Sequence, residues 1–148
     1  MSWILVAAAL AVGVGWALYR KLGSRHLQRI LDRRRPSSRI VSLGEFVEGG
    51  RHMAVALALT DAAFYYESSD MQASLDLEWI EEVSYDSELA TGRVVVDAQV
   101  LRLRCQSQLF EFVLSSDVVA AWKAAMPAGR PVPASTPAMT ANLAPEFA

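Results

Sequence analysis

Two histidines, one cysteine and one run of acids are the side chains of this 148-residue chain whose types could support chemistry. A nucleophilic triad needs an imidazole held beside a hydroxyl or thiol and oriented by an acid. His26 falls in an arginine-rich stretch and His52 in a turn, and neither sits in a motif that supplies the other two groups. Cys105 alternates with Leu101 and Leu103, which places its thiol on the inward face of a strand as a small buried hydrophobe. A single cysteine also excludes an internal disulfide and a Cys-x-x-Cys metal knuckle. Glu78, Glu81, Glu82, Asp86 and Glu88 lie close enough in sequence to suggest metal ligands or an acid–base pair. They have neither EF-hand spacing nor a Glu-x-x-His arrangement, so they read as a solvated face. No glycine loop is placed to cradle phosphate. The expectation is a non-enzyme, with no catalytic residue, no metal and no cofactor.

The charge falls into blocks. Residues 1–19 carry no charged side chain, residues 20–39 carry a net +7, residues 40–126 a net −9, and the tail is neutral, for −2 overall. Nucleic-acid binding requires a basic face with exposed aromatics, which a domain at −9 lacks.

The first block reads WILVAAALAVGVGWALY over residues 3–19, 17 positions without a charge. As a helix rising ~1.5 Å per residue it would reach roughly 25 Å, the short end of a membrane span. Trp3 at one end, and Trp16 and Tyr19 with Arg20 and Lys21 at the other, suit the two membrane interfaces. A cleaved signal peptide would need a positive n-region and a small-residue cleavage site, and the flanks offer neither. Residues 1–22 are therefore expected to be a transmembrane helix. Basic residues follow the run and none precedes it. The N-terminus is then expected outside (periplasmic) and the rest of the chain in the cytoplasm, at a cell inner membrane. Ala7, Ala11 and Gly15 form one small-residue ridge, and Ala9, Gly13 and Ala17 another, both suited to helix–helix packing. No ionisable group interrupts the run, which argues against a proton relay, an ion path or a haem ligand in it.

Residues 23–39 form the basic block. Leu22, Leu27, Ile30 and Leu31 recur at helical spacing, and Pro36 disfavours helix at Arg35. A basic juxtamembrane helix attracts anionic lipid headgroups at about 1 kcal/mol per basic residue, here through Arg25, Arg29, Arg33, Arg34 and Arg35.

From residue 40 the period becomes two. Strands are expected over 39–46, 53–60, 63–67, 75–77, 80–85, 93–97, 100–105 and 109–114, with turns at 48–51 and 87–92 and a polar loop at 68–74. Ser115-Ser116-Asp117 then caps a helix over 118–126, with Val118, Val119, Trp122 and Met126 on one side, ended by Pro127. Leu59-Thr60-Asp61 leading into Phe64-Tyr65-Tyr66, the Leu77-x-x-Ile80-x-x-Val83 segment, and Phe110-x-Phe112 before a helix bearing Trp122 together carry a resemblance. Over residues 40–126 the chain resembles the pleckstrin-homology superfold, in particular its bacterial GRAM/PH-like branch. That resemblance implies a bent antiparallel sheet or barrel with one C-terminal helix plugging its open end. The core would be Leu57, Leu59, Phe64, Ile80, Val83, Phe110, Phe112 and Trp122. Lipid-binding members carry several basic residues between the first two strands. Here that loop offers Arg51 against Glu45 and Glu48, so phosphoinositide recognition by the domain is not expected.

Residues 127–148 are rich in proline and alanine without a period, and read as an extended tail. The fold class expected is thus a single transmembrane α-helix plus a mainly-β domain. The expected function is that of a non-enzymatic accessory or structural subunit of a larger membrane-protein complex, with other integral membrane proteins and lipid headgroups as partners. The alternative is a free-standing anchored adaptor or lipid-responsive regulator.

Overall fold

The computed structural model describes residues 24–131. A helix, α1, occupies residues 24–34 and passes into a 3-10 turn, Arg35–Ser37, where Pro36 removes a helical donor. Seven strands follow: β1 (Ile40–Glu48), β2 (Arg51–Leu59), β3 (Ala63–Glu67), β4 (Gln72–Asp76), β5 (Ile80–Asp86), β6 (Ala98–Cys105) and β7 (Gln108–Ser115). A 3-10 turn, Leu77–Trp79, joins β4 to β5, and a second helix, α2, spans Ser116–Ala125. The strands form one antiparallel sheet in the order β4-β3-β2-β1-β7-β6-β5.

Local chemistry explains the connections. Gly49 and Gly50 take φ of +55° and +81°, the pair of positive values that a two-residue hairpin turn matched to strand twist demands. Thr60 closes the β2–β3 turn: its Oγ1 accepts the Ala62 and Ala63 amides, and its own N–H bonds the Ala63 carbonyl. Along β2 large and small residues alternate. Met53, Val55, Leu57 and Leu59 point to the core, while Ala54, Ala56 and Ala58 make an outer face smooth enough for a helix to lie on.

β1 belongs to both halves of the sheet. It pairs with β2 over its full length but with β7 only at Glu45, Phe46 and Val47. Gly44 sits at this seam, where a Cβ would meet Leu57 Cδ1 at 2.6 Å and the Val113 carbonyl at 3.1 Å. The inner face holds rings of Phe46, Phe64, Tyr66, Phe110 and Phe112 in mutual contact. α2 lies across its open end. Trp122 is fully buried, edge-on to Phe64 at 5.7 Å, and its Nε1–H donates to Ser42 Oγ at 2.8 Å. Arg39 donates to the Ala125 carbonyl at 2.9 Å and so satisfies the end of α2. Tyr85 donates its hydroxyl to the Met126 carbonyl at 2.8 Å, which fastens the same end to β5.

Several expectations are corrected. The architecture is a mainly-β antiparallel sheet with two helices, and among the described residues no helix is long and apolar enough to cross a membrane. The expected fold class, a transmembrane helix plus a β domain, and the description of the chain as a single-pass membrane protein are corrected accordingly. The expected span, with Trp3, Trp16, Tyr19, Arg20 and Lys21 at its ends and Ala7, Ala9, Ala11, Gly13, Gly15 and Ala17 on its ridges, lies outside the described residues. The helix that follows the expected span, α1, turns Leu27, Ile30 and Leu31 onto Ala56 and Val41 of the sheet. Part of the expected 68–74 loop is strand β4, because Ala73 and Leu75 face inward while Gln72, Ser74 and Asp76 suit an edge. The expected 93–97 strand is a loop. Its valines favour a ladder, but only Val94 makes a strand-like bridge, to Glu88, and Asp97 leaves with φ +52°.

Trp122→Ala removes the plug, leaves Ser42 without its donor, and is expected to cost about 3–5 kcal/mol in denaturant unfolding. Burial raises the pKa of Tyr85 above its ordinary 10.0, and raises those of Cys105, from 9.0, and Tyr66. The folded state thus keeps protons that the unfolded chain gives up, and stability is complete below these ordinary values and lost as pH rises past them. Thermal unfolding followed against pH should show Tm falling above about pH 9. Tyr85→Phe should cost about 0.5–1.5 kcal/mol at neutral pH and flatten that alkaline decline.

Candidate functional site

The inner face of the sheet is largely closed by α2, and among the described residues the larger open grooves lie on the outer face. On the outer face two separate elements are each held by a buried carboxylate. The first is α1. Glu67, outward on β3 and buried, accepts Arg33 Nη2 at 3.2 Å and Arg34 Nε at 3.0 Å, with a second contact from Arg34 Nη2. The Arg34 guanidinium also lies over the Tyr65 ring, 4.0 Å from its centroid. Two cations on one carboxylate, with a π face beneath one of them, offset the desolvation of Glu67.

The second element is the 87–97 loop. Leu89 is buried against Val47 and Val100, with Val95 and Val113 beside them. Arg102 fastens this loop from below, donating to Glu111 Oε1 at 2.9 Å, to Asp86 Oδ2 at 2.8 Å and to the Glu88 carbonyl. Glu111, also buried, accepts the Ala90 amide at 2.8 Å with the same oxygen. Its hydrogen bond to Arg102 is the main reason that guanidinium holds its proton more tightly than usual.

Beside the loop runs an open groove of about 630 Å³. Leu43, Gly44, Ala54 and Val113 line its floor, and Val94, Val95 and Val96 its wall. Three of these side chains are apolar yet accessible: Leu43 at 42%, Val94 at 61% and Val96 at 81%. The rim carries both signs, with Glu45 and Asp97 against Arg93, and His52 Nδ1 lies 3.0 Å from Glu45 Oε2. Apolar centre and mixed polar rim is the anatomy of a protein contact surface.

The residues that could have done chemistry are dispersed. Glu82 pairs with Arg104 at 3.3 Å and Asp86 with Arg102, while Glu78 and Glu81 are exposed. Among the described residues no group of three His, Cys, Asp or Glu side chains could hold a metal ion. Cys105 is buried, and burial pushes its thiol pKa up, the reverse of an activated nucleophile. His26 lies in a separate groove with Arg29 and Arg33, opposite Ser68 and Asp70. The five arginines assigned to headgroups do not share one free face: Arg33 and Arg34 hold Glu67, Arg35 faces Asp32 at 3.9 Å, and Arg25 and Arg29 are exposed. Leu57, Leu59, Phe64, Ile80, Val83, Phe112 and Trp122 are buried, and Phe110 is half-buried at the edge of the core.

Sequence reasoning misses both the groove and the Glu67 bridge. The valines at 94–96 between Arg93 and Asp97 were the only signal of the first. The second joins residues more than 30 positions apart and leaves no local trace.

Glu67→Ala should free Arg33 and Arg34 from α1's anchor at a cost of about 1.5–3 kcal/mol, the range of hydrogen bonds to charged groups. Amide exchange in residues 24–34 should accelerate well before exchange in β6 and β7 does.

Comparison of the chain with protein-family models, with curated proteins and with solved structures returns no match, so the role of the groove rests on its own geometry.

Proposed function

We propose that this chain is a non-enzymatic interaction module of PH/GRAM-like type, an accessory subunit or adaptor whose outer-face groove takes an apolar segment of a partner protein. The observation that carries this reading is the valine wall at 94–96, held beside accessible Leu43 by the Arg102–Glu111 anchor of its loop. Chemistry selects a protein as the occupant. A polyanion would meet Glu45 and Asp97 at the rim, whereas a peptide segment can match charges of both signs. Apolar side chains left accessible in a packed domain regain their burial when a partner covers them. The strand order, with α2 across the open end of the sheet, supports the PH/GRAM-like part of the reading. In the subunit form the partner is a component of a larger complex. In the adaptor form it is a protein that the module recruits. The occupation of Arg33 and Arg34 by Glu67 weighs against a lipid-responsive regulator.

The test is affinity isolation of the full chain from its own cells, beside variants Val96→Asp and Leu43→Asp. Val96 is exposed, so Val96→Asp should leave Tm unchanged within about 1 °C while placing an unpaired charge against the apolar segment. A partner that co-purifies with the wild type should fall at least about tenfold, equivalent to about 1.4 kcal/mol, with either variant. Trp79→Ala alters a large exposed apolar side chain away from the groove and should retain the partner. Loss with Trp79→Ala and retention with the groove variants would overturn the assignment.

A further inference from the structure

β5 ends the sheet, paired with β6 on one side only. An edge strand offers a row of free N–H and C=O groups to any extended chain that meets it. After α2 the chain turns back along this edge. Val83 N–H donates to the Gly129 carbonyl at 2.7 Å, and Gly129 N–H donates to the Val83 carbonyl at 2.9 Å. This exchange of both bonds is a narrow antiparallel pair. In that register the next narrow pairs would put residue 127 opposite Tyr85 and residue 131 opposite Glu81, which itself lies at a bulge of β5. Both positions are proline. Proline has no N–H to give, so the ladder stops after one rung in either direction. Between the prolines Gly129 holds φ +116°, a backbone conformation that a side chain disfavours, although open space surrounds it. The segment Pro127-Ala128-Gly129-Arg130-Pro131 can thus occupy the middle of the edge but cannot extend along it.

We propose that this segment is a detachable guard on β5, and that its release lets a second copy of the chain add its own β5, antiparallel, to form a continuous sheet across two molecules. The sequence of β5 suits self-pairing about Val83. The bulge between Ile80 and Glu82 limits the regular part of the strand to Glu82–Asp86, within which Glu82 would face Ser84 of the second copy and Val83 would face its own equivalent, so no like charges stand directly opposite. The guard is held by the Gly129 rung and the Tyr85–Met126 bond, few contacts beside those that order the sheet.

The experiment uses the full chain with Gly129→Pro, which removes the donor and forbids the positive φ, and in parallel a chain ending at Met126. Glu82→Cys and Ser84→Cys are introduced separately into each background and the two preparations are mixed under mild oxidation. Self-pairing places residues 82 and 84 of different copies opposite each other in a non-hydrogen-bonded pair, within disulfide reach. The expected result is a linked dimer at least about tenfold more abundant in both guard-free backgrounds than with the guard present. It should appear only in the mixture, since either cysteine alone does not face itself. Amide exchange supplies the folding control: without the guard, Leu101 and Leu103 should stay protected. Equal linking with and without the guard overturns the proposal, as does no linking in guard-free chains whose Leu101 and Leu103 amides remain protected. A cross-link to a different protein instead of a second copy would also overturn it.

Discussion

The narrow seam between β1 and β7 sets the terms for the rest of the molecule. Three residue pairs join the two halves of the sheet there, against nine pairs between β1 and β2. So short a seam would leave the aromatic inner face open to water at one end. Gly44 lets Leu57 fill the inside of the bend, where any Cβ would collide with it. Trp122 fills the remaining gap and is tied to β1 through Ser42. The indole has a single donor, and its one partner lies on the strand that both halves share. Burial and hydrogen bonding therefore act on the same element, and α2 is part of the core that the sheet encloses.

The outer face follows a different rule. Two carboxylates, Glu67 and Glu111, are buried there, and each ties down a covering element through arginine. α1 covers the β1–β3 side and the 87–97 loop covers the β6–β7 side, each closing a small apolar cluster of its own. The groove is the strip of sheet that neither cover reaches. Its position is fixed by where the two anchors stand, so its apolar wall is presented by a loop with defined geometry, as a preorganised surface requires.

The parts of this arrangement that can be read from sequence are the local ones. The β1–β2 hairpin shows in the alternation of β2 and in Gly49-Gly50, and α2 shows in the spacing of Val119 and Trp122, although Ser115 stands at its start without the expected side-chain cap. Cross-chain electrostatics leave no such trace. The arginines at 33 and 34 read as headgroup-binding cations until Glu67 is placed beside them, and nothing local names Ala56 and Val41 as what the apolar side of α1 meets. The valines at 94–96 carry strand propensity that the tertiary context overrides. As a loop the segment lets Leu89 and Val95 pack on Val47 and Val100. Sequence reasoning fails here mainly at contacts between segments far apart in the chain, with β4, a short polar edge strand beside its neighbour β3, as the local exception.

The contrast between Trp79 and Trp122 has an optical consequence. Trp122 is sealed from solvent with its ring fixed against Phe64, whereas Trp79 is more than half exposed on the β4–β5 turn. An indole locked in an asymmetric aromatic cage contributes strongly to near-ultraviolet circular dichroism, and a freely solvated one contributes little. Of these two rings, the solvated one is also the one that a small aqueous quencher reaches by collision. With Trp3 and Trp16 replaced by phenylalanine, the two indoles among the described residues would report on different parts of the molecule: dichroism on the closure of the sheet by α2, and quenching on the β4–β5 turn.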